Sequence, residues 1–347
     1  MASQGHAITL AALDWEGPGR AAQEPRDYYG VSNDFELVQL PYTPPRGSRL
    51  RYLHSAWQLY RQCKKLIRAT EPDLVYGRNL MGCLASAKCG IPTVYESHMP
   101  VWQGRLESVL FARLVASPHF RRLVVISERL RKMYLERGIL SESAITVAHD
   151  AADIYDDAPP TEPWPGRRSA LQVGYTGSLF PGRGISIVME MANRMPEVDF
   201  HLIGGLRKDL ENWQSKPTPV NVHFHGYIAP AEVVRYRAAC DVLLAPYQRR
   251  VTIDGTGNTV DYMSPLKIFE YMSSRRAIIA SDLPVLREIL SDDSAVLVAP
   301  DTPQEWIRAL ESLKDAPKRQ QLADRAYEDF TREYTWQKRA HNVLDGL

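Results

Sequence analysis

The stretch Ser264–Leu290, SPLKIFEYMSSRRAIIASDLPVLREIL, decides the fold of this chain. Ser264 followed by Pro265 predicts a helix start: a hydroxyl able to cap, then a ring whose missing N–H costs nothing at the first helical position. Lys267 and Glu270 fall one turn apart near that start. Unpaired backbone N–H groups, the positive end of the helix dipole and a lysine make a place for an anion, most often phosphate. An acidic residue one turn on suits paired hydroxyls such as those of a ribose. The bland alternative is a surface i,i+3 ion pair between Lys267 and Glu270, with little energetic weight. The short apolar run Ala277–Ala280 then reads as a buried strand. Helix start, anion site and following strand together describe half of a nucleotide site.

The rest of the chain bounds what can surround that half-site. At 347 residues it is too long for one ordinary core and fits two domains. Hydrophobic content of 44% and charged content of 24% are those of a soluble globular protein. A formal net charge of +1 gives no general field for nucleic acid, which is not expected as a partner. The N-terminal MASQGHAITL lacks a basic-then-apolar secretion signal, and no apolar run reaches the length of a membrane span. Cys63, Cys83, Cys89 and Cys240 are scattered, with no CxxC, and read as reduced thiols of a cytoplasmic protein.

Short apolar runs alternate with helical stretches from end to end. Strand candidates of the first half are Ile8–Leu13, Phe35–Leu40, Leu74–Tyr76, Thr93–Tyr95, Leu123–Ile126 and Ile145–Val147. Between them lie amphipathic Leu50–Ala69, Ala85–Cys89 and Leu106–Ala116. A stretch with Pro159, Pro160, Pro163 and Pro165 breaks the pattern and reads as a linker. The pattern restarts with Leu171–Tyr175, Asp199–Ile203, Val222–His225, Val242–Ala245, Ala277–Ala280 and Ala295–Val298, with helices beginning near Gly184, Ala229, Ser264 and Pro303. Such alternation predicts parallel sheets with helices on both faces: an α/β chain of two doubly wound, Rossmann-like domains facing a cleft. The expected division is 1–152, a linker 153–168, a second domain 169–335 and a C-terminal helix 336–347.

Several strand ends carry candidate chemistry. Val173–Leu179 followed by Gly182-Arg183-Gly184 is a strand ending in glycines, a loop and a helix start, which lets backbone approach a diphosphate. It is not a GxGxxG fingerprint, because the spacing differs. Arg183 offers a planar guanidinium for bidentate phosphate contact, or is a solvated loop arginine. Gly204-Gly205 ends the next strand, either near the nucleotide or as a tight turn. The loop Gly255–Met263, with Gly255, Gly257 and Asn258, is expected to be mobile before a ligand binds. His98 ends the strand-like VYES run, where ligands of parallel sheets bind; Ser127, His149 and Asp150 also lie at strand ends. No DxD motif follows a strand, so no metal is expected, and no nucleophile elbow is present. The stretch Leu50–Ala69 with its flanks carries Arg49, Arg51, Arg61, Lys64, Lys65 and Arg68 beside Tyr52, Trp57 and Tyr60. It reads first as a helix covering the sheet with a basic outer face; the alternative is peripheral contact with an anionic membrane.

The Ser264–Leu290 segment closely resembles the donor-nucleotide motif of retaining glycosyltransferases of the GT-B fold, in the glycosyltransferase 4 family. Glu270 matches the second Glu of that family's Glu-x7-Glu pattern, which binds the ribose; Tyr262 stands where the first Glu contacts the hexose. The resemblance implies that Arg183 and Lys267 neutralise the leaving diphosphate and that His98 orients the donor hexose. It further implies donor-nucleotide contacts at Gly177, Gly204, Tyr227, Ser264, Leu266 and Glu270, with the C-terminal helix crossing back to the first domain. By the same resemblance, Gly5-His6 before Ala7–Leu13 matches the junction after the family's first helix. The first domain would then lack its first strand, glycine-rich loop and most of that helix, as expected if the sequence starts downstream of the true start codon, the alternative being a pared-down N-terminal domain. The activity implied is hexosyl transfer with retention from a nucleotide-diphosphate sugar to an acceptor hydroxyl, in polysaccharide or glycoconjugate synthesis, without a cofactor. The acceptor would be a glycan, a lipid-linked or a small molecule, met in the cytoplasm or on the inner membrane face. The alternatives are a catalytically impaired nucleotide-sugar-binding protein and a GT-B nucleotide-sugar epimerase.

Overall fold

A computed structural model describes residues 1–14, 29–31, 35–41, 49–155, 164–251 and 258–347. Pro159, Pro160 and Pro163 of the expected linker, Gly255 and Gly257 of the expected loop, and the side chains of Arg49, Arg51 and Tyr52 lie outside that description. Twelve strands are described: β1 Thr9–Asp14, β2 Glu36–Pro41, β3 Val75–Gly77, β4 Thr93–Ser97, β5 Phe120–Val125, β6 Ile145–Val147, β7 Gln172–Thr176, β8 Asp199–Ile203, β9 Val222–Gly226, β10 Val242–Ala245, β11 Ala277–Ser281 and β12 Val296–Val298. Each lies on one of the apolar runs read from the sequence. Every strand pairing among the described residues is parallel.

Strands β1–β6 and Ala340–Leu347 form one compact unit, and Asp150–Arg339 the core of the other. In the first unit β1 pairs with β2, and a separate sheet runs β3-β4-β5-β6. Val94 and Val124 on that sheet pack with Ala148 and with Val343 of the terminal helix Trp336–Leu344. On the other side Tyr95, Phe111 and Tyr134 meet ring to ring, with centroids 5.6–5.8 Å apart. The helix Glu128–Glu136 starts at Ser127, whose Oγ accepts the Leu130 N–H at 3.1 Å, so this strand-end serine is a helix cap.

The second unit holds a six-stranded sheet in the order β12-β11-β10-β7-β8-β9. Its strands β7, β8, β10 and β11 are buried throughout, as a sheet covered on both faces requires. Alternate residues serve opposite cores. Val242, Leu244, Ala277 and Ile279 join Trp306 and the helices Ile185–Arg194 and Pro303–Ser312. Leu243, Ala245, Ile278 and Ala280 join Ile268, Phe269 and Phe330 from the helices Leu266–Ser273 and Ala316–Glu333. The chain runs outward from β7 through β8 to β9, then returns and runs outward the other way from β10 through β11 to β12. The order therefore reverses between β7 and β10. Ligands of open α/β sheets bind in the crevice at the carboxyl ends of such a pair.

Candidate active site

At that reversal β7 and β10 pair only through Val242↔Val173 and Leu243↔Gly174. Beyond Gly174 the ladder ends, and the helix Leu266–Ser273 supplies what the strands lack. Tyr271 Oη accepts from the Thr176 main-chain N–H at 2.9 Å and donates to the Leu244 carbonyl at 3.2 Å. Its phenol is buried and pushed above the usual tyrosine range by that burial.

The same helix presents Lys267. Its ammonium lies 3.8 Å from the centroid of the Tyr175 ring and 5.1 Å from that of Tyr247. The side chain keeps some solvent contact. Removal from water, then the nearby Arg183 cation, holds it well below the usual lysine range, against a smaller opposing pull from Glu270. Among the described residues no carboxylate pairs with it. Arg183, in the turn before the helix Ile185–Arg194, lies over the Tyr247 ring at 5.4 Å. Its Nε is buried with no hydrogen-bond partner among the described residues. The Arg183 guanidinium thus adds to burial in loosening the Lys267 proton, and its own buried Nε lacks a partner among the described residues, an arrangement suited to an anion.

Glycines keep this place open. Gly177, directly after β7, has φ +128°, and a Cβ there would stand 3.2 Å from Lys267 Nζ. Gly204, directly after β8, has φ +116°, and its Cβ would come within 2.4 Å of the Gly177 carbonyl. A side chain at Gly204 would have to displace backbone, and one at Gly177 would be strained by its φ and press on the Lys267 ammonium. Around them Tyr227 after β9 and Leu266 at the helix start are about half exposed.

Ser264 corrects a sequence expectation. The helix begins at Leu266 with Pro265 at the N-cap in an extended conformation, so Ser264 stands one residue outside and does not cap. Its buried Oγ instead accepts the Asp150 N–H at 2.9 Å. Proline at the cap rather than at the first helical position shifts the serine out of reach of the helix N–H groups. The i,i+3 pair is corrected too: Glu270 is held not by Lys267 but by Arg237 Nη1, at 3.4 Å from Oε2. Among the described residues that leaves the Lys267 ammonium against aromatic rings and without a carboxylate. Tyr262 is buried and follows the short turn Thr259–Asp261.

In the first unit, His98 stands just beyond β4. Its Nε2 is 2.5 Å from Glu96 Oε1 and its Nδ1 is 3.1 Å from Arg78 Nη2. Arg78 can only donate, so Nδ1 accepts and Nε2 carries the proton. Glu96 is buried, and its other oxygen accepts the Tyr76 hydroxyl. The sequence pointed to His98 alone; the structure adds its partners Glu96 and Arg78 and, behind Glu96, Tyr76, for which their positions at the ends of β3 and β4 were the available signal. Among the described residues no group of three or more His, Cys, Asp or Glu is placed to hold a metal ion.

Residues 1–154 match the family model described as Glycosyltransferase Family 4, and residues 183–345 match the one described as Glycosyl transferase-like. The chain is a glycosyltransferase of the GT-B fold. Among solved structures, the Anabaena protein HepE in complex with UDP and glucose matches with a TM-score of 0.70 at 17% identity, over 98% of this chain and 99% of that one. The sucrose-phosphate synthase of Thermosynechococcus elongatus matches with a TM-score of 0.68 at 14% identity, over 97% of each chain. The lipopolysaccharide outer core galactosyltransferase WaaB matches with a TM-score of 0.63 at 17% identity, over 98% of this chain and all of the other. At such identities the likeness is one of fold. No curated protein matches the chain by sequence.

Proposed function

We propose that the chain transfers a hexose-type sugar from a nucleotide-diphosphate sugar to an acceptor hydroxyl with retention of configuration, in the synthesis of a cell-surface polysaccharide or glycoconjugate. The observation that carries the reading is the pair Lys267 and Arg183 at the β7/β10 switch point, with no carboxylate on Lys267 among the described residues and a partnerless buried Nε on Arg183. A diphosphate supplies the charge this place lacks. Glu270, one turn further along the same helix, then faces the ribose. Tyr227 and Leu266 offer apolar surface to the nucleoside, and Gly177 and Gly204 let its phosphates approach the backbone. Tyr262 and His98 are assigned to the sugar.

In the reaction the bond from the anomeric carbon to the diphosphate oxygen breaks while the acceptor oxygen bonds to that carbon on the same face. The acceptor proton passes to the departing phosphate oxygen. Lys267 and Arg183 stabilise the negative charge that grows on the diphosphate, and they act best where water is scarce. Burial and Arg183 loosen the Lys267 proton in the empty site, and an arriving anion holds it more tightly, so the charge of the site is tied to its ligand.

The acceptor is a glycan, a lipid-linked molecule or a small molecule. The helix Arg49–Thr70, with Arg61 stacked 4.7 Å over a half-exposed Trp57, is a second surface that an anionic membrane would attract. No described helix is long and apolar enough to cross a membrane.

HepE is described with UDP and glucose, so UDP-glucose and UDP-galactose are the first donors to test. Calorimetry with UDP should detect binding that Lys267→Ala and Arg183→Ala each weaken. The anomeric coupling in the product, read by NMR against that of the donor, tests retention. Equal affinity in the wild type and the double variant would remove the diphosphate site, and an inverted product would remove the retaining mechanism.

A further inference from the structure

Arg237 lies in the last turn of the helix Pro230–Ala238 and is 2% exposed. A guanidinium so deep is unfavourable unless its charge and its N–H groups find partners. Its Nε donates to Ser274 Oγ at 3.0 Å, and its Nη1 lies 3.4 Å from Glu270 Oε2. Ser274 Oγ in turn donates to the Glu270 carbonyl at 2.6 Å. Both partners belong to the turn that closes the helix Leu266–Ser273, so one buried arginine grips side chain and backbone around Glu270. The Glu270 side chain nevertheless remains 38% exposed. It is fastened from the protein side and open on the other.

We infer that Arg237 is a positioning residue for the donor: it holds the Glu270 carboxylate in the orientation that accepts the ribose hydroxyls. This rests on the reading of Glu270 as the ribose-binding residue. A glutamate free on a helix surface has rotamer freedom that binding must remove. Held by Arg237, it has lost that freedom before the nucleotide arrives, which is how preorganisation strengthens a contact. Arg237 also draws Glu270 away from Lys267 and so keeps the ammonium available to the diphosphate. Both effects come from a residue that does not itself touch the ligand.

The test separates ribose recognition from overall affinity. The probes are UDP, GDP and ADP, whichever the wild type binds most tightly in calorimetry, and the 2′,3′-dideoxy form of that nucleotide. Two charge-assisted hydrogen bonds to the ribose should make the wild type prefer the ribonucleotide by about tenfold or more. Arg237→Met removes the buried cation and leaves a carboxylate that solvent can reach, so the variant should fold. It should bind the dideoxy nucleotide within about twofold of wild type, because Lys267 and Arg183 are intact, while the ribonucleotide preference falls to about threefold or less. Arg237→Lys keeps the charge without the planar fork and should restore part of the preference.

A merely structural arginine would instead weaken both nucleotides alike and leave their ratio unchanged; that result overturns the inference. Glu270→Gln run beside it tests the underlying reading. If Glu270→Gln keeps the wild-type ratio, the ribose assignment itself fails. If Glu270→Gln abolishes the ratio and Arg237→Met does not, only the positioning role fails.

Discussion

The hydroxyl of Tyr271 accepts the Thr176 main-chain N–H at 2.9 Å, from a helix that follows β10, not from a neighbouring strand. The two strands part there, and parting leaves the Thr176 N–H and the Leu244 carbonyl without ladder partners. An unpaired buried backbone group is costly. Tyr271 satisfies both, and it does so from the helix that carries Lys267 one turn earlier. The opening of the crevice and the placing of its cation are thus one arrangement.

Tyr271→Phe keeps the ring packing and deletes that bridge. The variant should lose about 1–3 kcal/mol, the cost of leaving buried polar groups unsatisfied. Urea unfolding followed by fluorescence measures it, and a loss well under 0.5 kcal/mol would mean that water or a main-chain shift replaces the hydroxyl.

Lys267 is placed for its ligand at the expense of the empty protein. Burial and Arg183 hold its proton less tightly than an exposed lysine would. Lys267→Met should therefore leave the unliganded Tm unchanged or raise it, while kcat/KM falls by roughly 100-fold or more. Diphosphate binding favours the charged form, so binding should take up a proton as pH rises into the range where the free lysine is neutral. Calorimetry in buffers of different ionisation enthalpy reads that uptake. Its persistence in Lys267→Met would assign it to another group.

The central strands of the second sheet were the most legible, because β10 and β11 are buried throughout and read as unbroken apolar runs: Val242–Ala245 coincides with its sequence counterpart. Ile145–Val147 also coincides, though it is only partly buried. Lys267 and Glu270 were legible as a local pattern on one helix. Their partners were not. Which cation takes Glu270 depends on where helix Pro230–Ala238 packs, and Arg237 is separated from Glu270 by more than thirty residues. His98 was visible as a lone strand-end histidine, whereas Glu96 two residues earlier reads as ordinary alternation until β4 is seen buried throughout. Ser264 fits a capping pattern, and only the backbone at Pro265 moves it outside the helix.

His201 on β8 and His223 and His225 on β9 make a second titratable cluster. His201 Nδ1 is 3.0 Å from His225 Nε2, and its Nε2 is 2.8 Å from Gln172 Oε1. Trp164 stacks on His201 with centroids 4.2 Å apart, and the Asp199–Arg167 ion pair lies beside them. Gln172 Oε1 also accepts the Trp164 indole N–H at 2.8 Å, so His201 fits as the neutral Nε2–H tautomer. Burial, then His225 and His223, lowers His201 to about 3; burial, then His223, lowers His225 to about 4. The unfolded chain binds protons here below pH ~6.5 and the folded chain does not, so stability should fall as pH drops from about 6.5 toward 4. His201 alone contributes about 1.4 kcal/mol per pH unit within that window. Urea midpoints between those pH values measure the slope, and His201→Gln should lower it by about one proton.

Tyr262 and Glu270 are proposed to divide the donor between them. Tyr262 is buried, so Tyr262→Phe keeps its packing and removes only the hydroxyl. If that hydroxyl meets the sugar, affinity for UDP alone should stay within about twofold, because no part of the nucleoside diphosphate is touched. Discrimination between donor sugars differing at one hydroxyl should shift by about tenfold, since a buried group built to bond a hydroxyl is left unpaired by the wrong isomer. Glu270→Gln should do the reverse: weaken UDP and UDP-sugar alike and leave the choice of sugar unchanged. Matched titrations of UDP, UDP-glucose and UDP-galactose against both variants decide it. Should Tyr262→Phe weaken UDP itself as much as it weakens the sugar nucleotides, the phenol supports the nucleotide or the fold, and the sugar assignment falls.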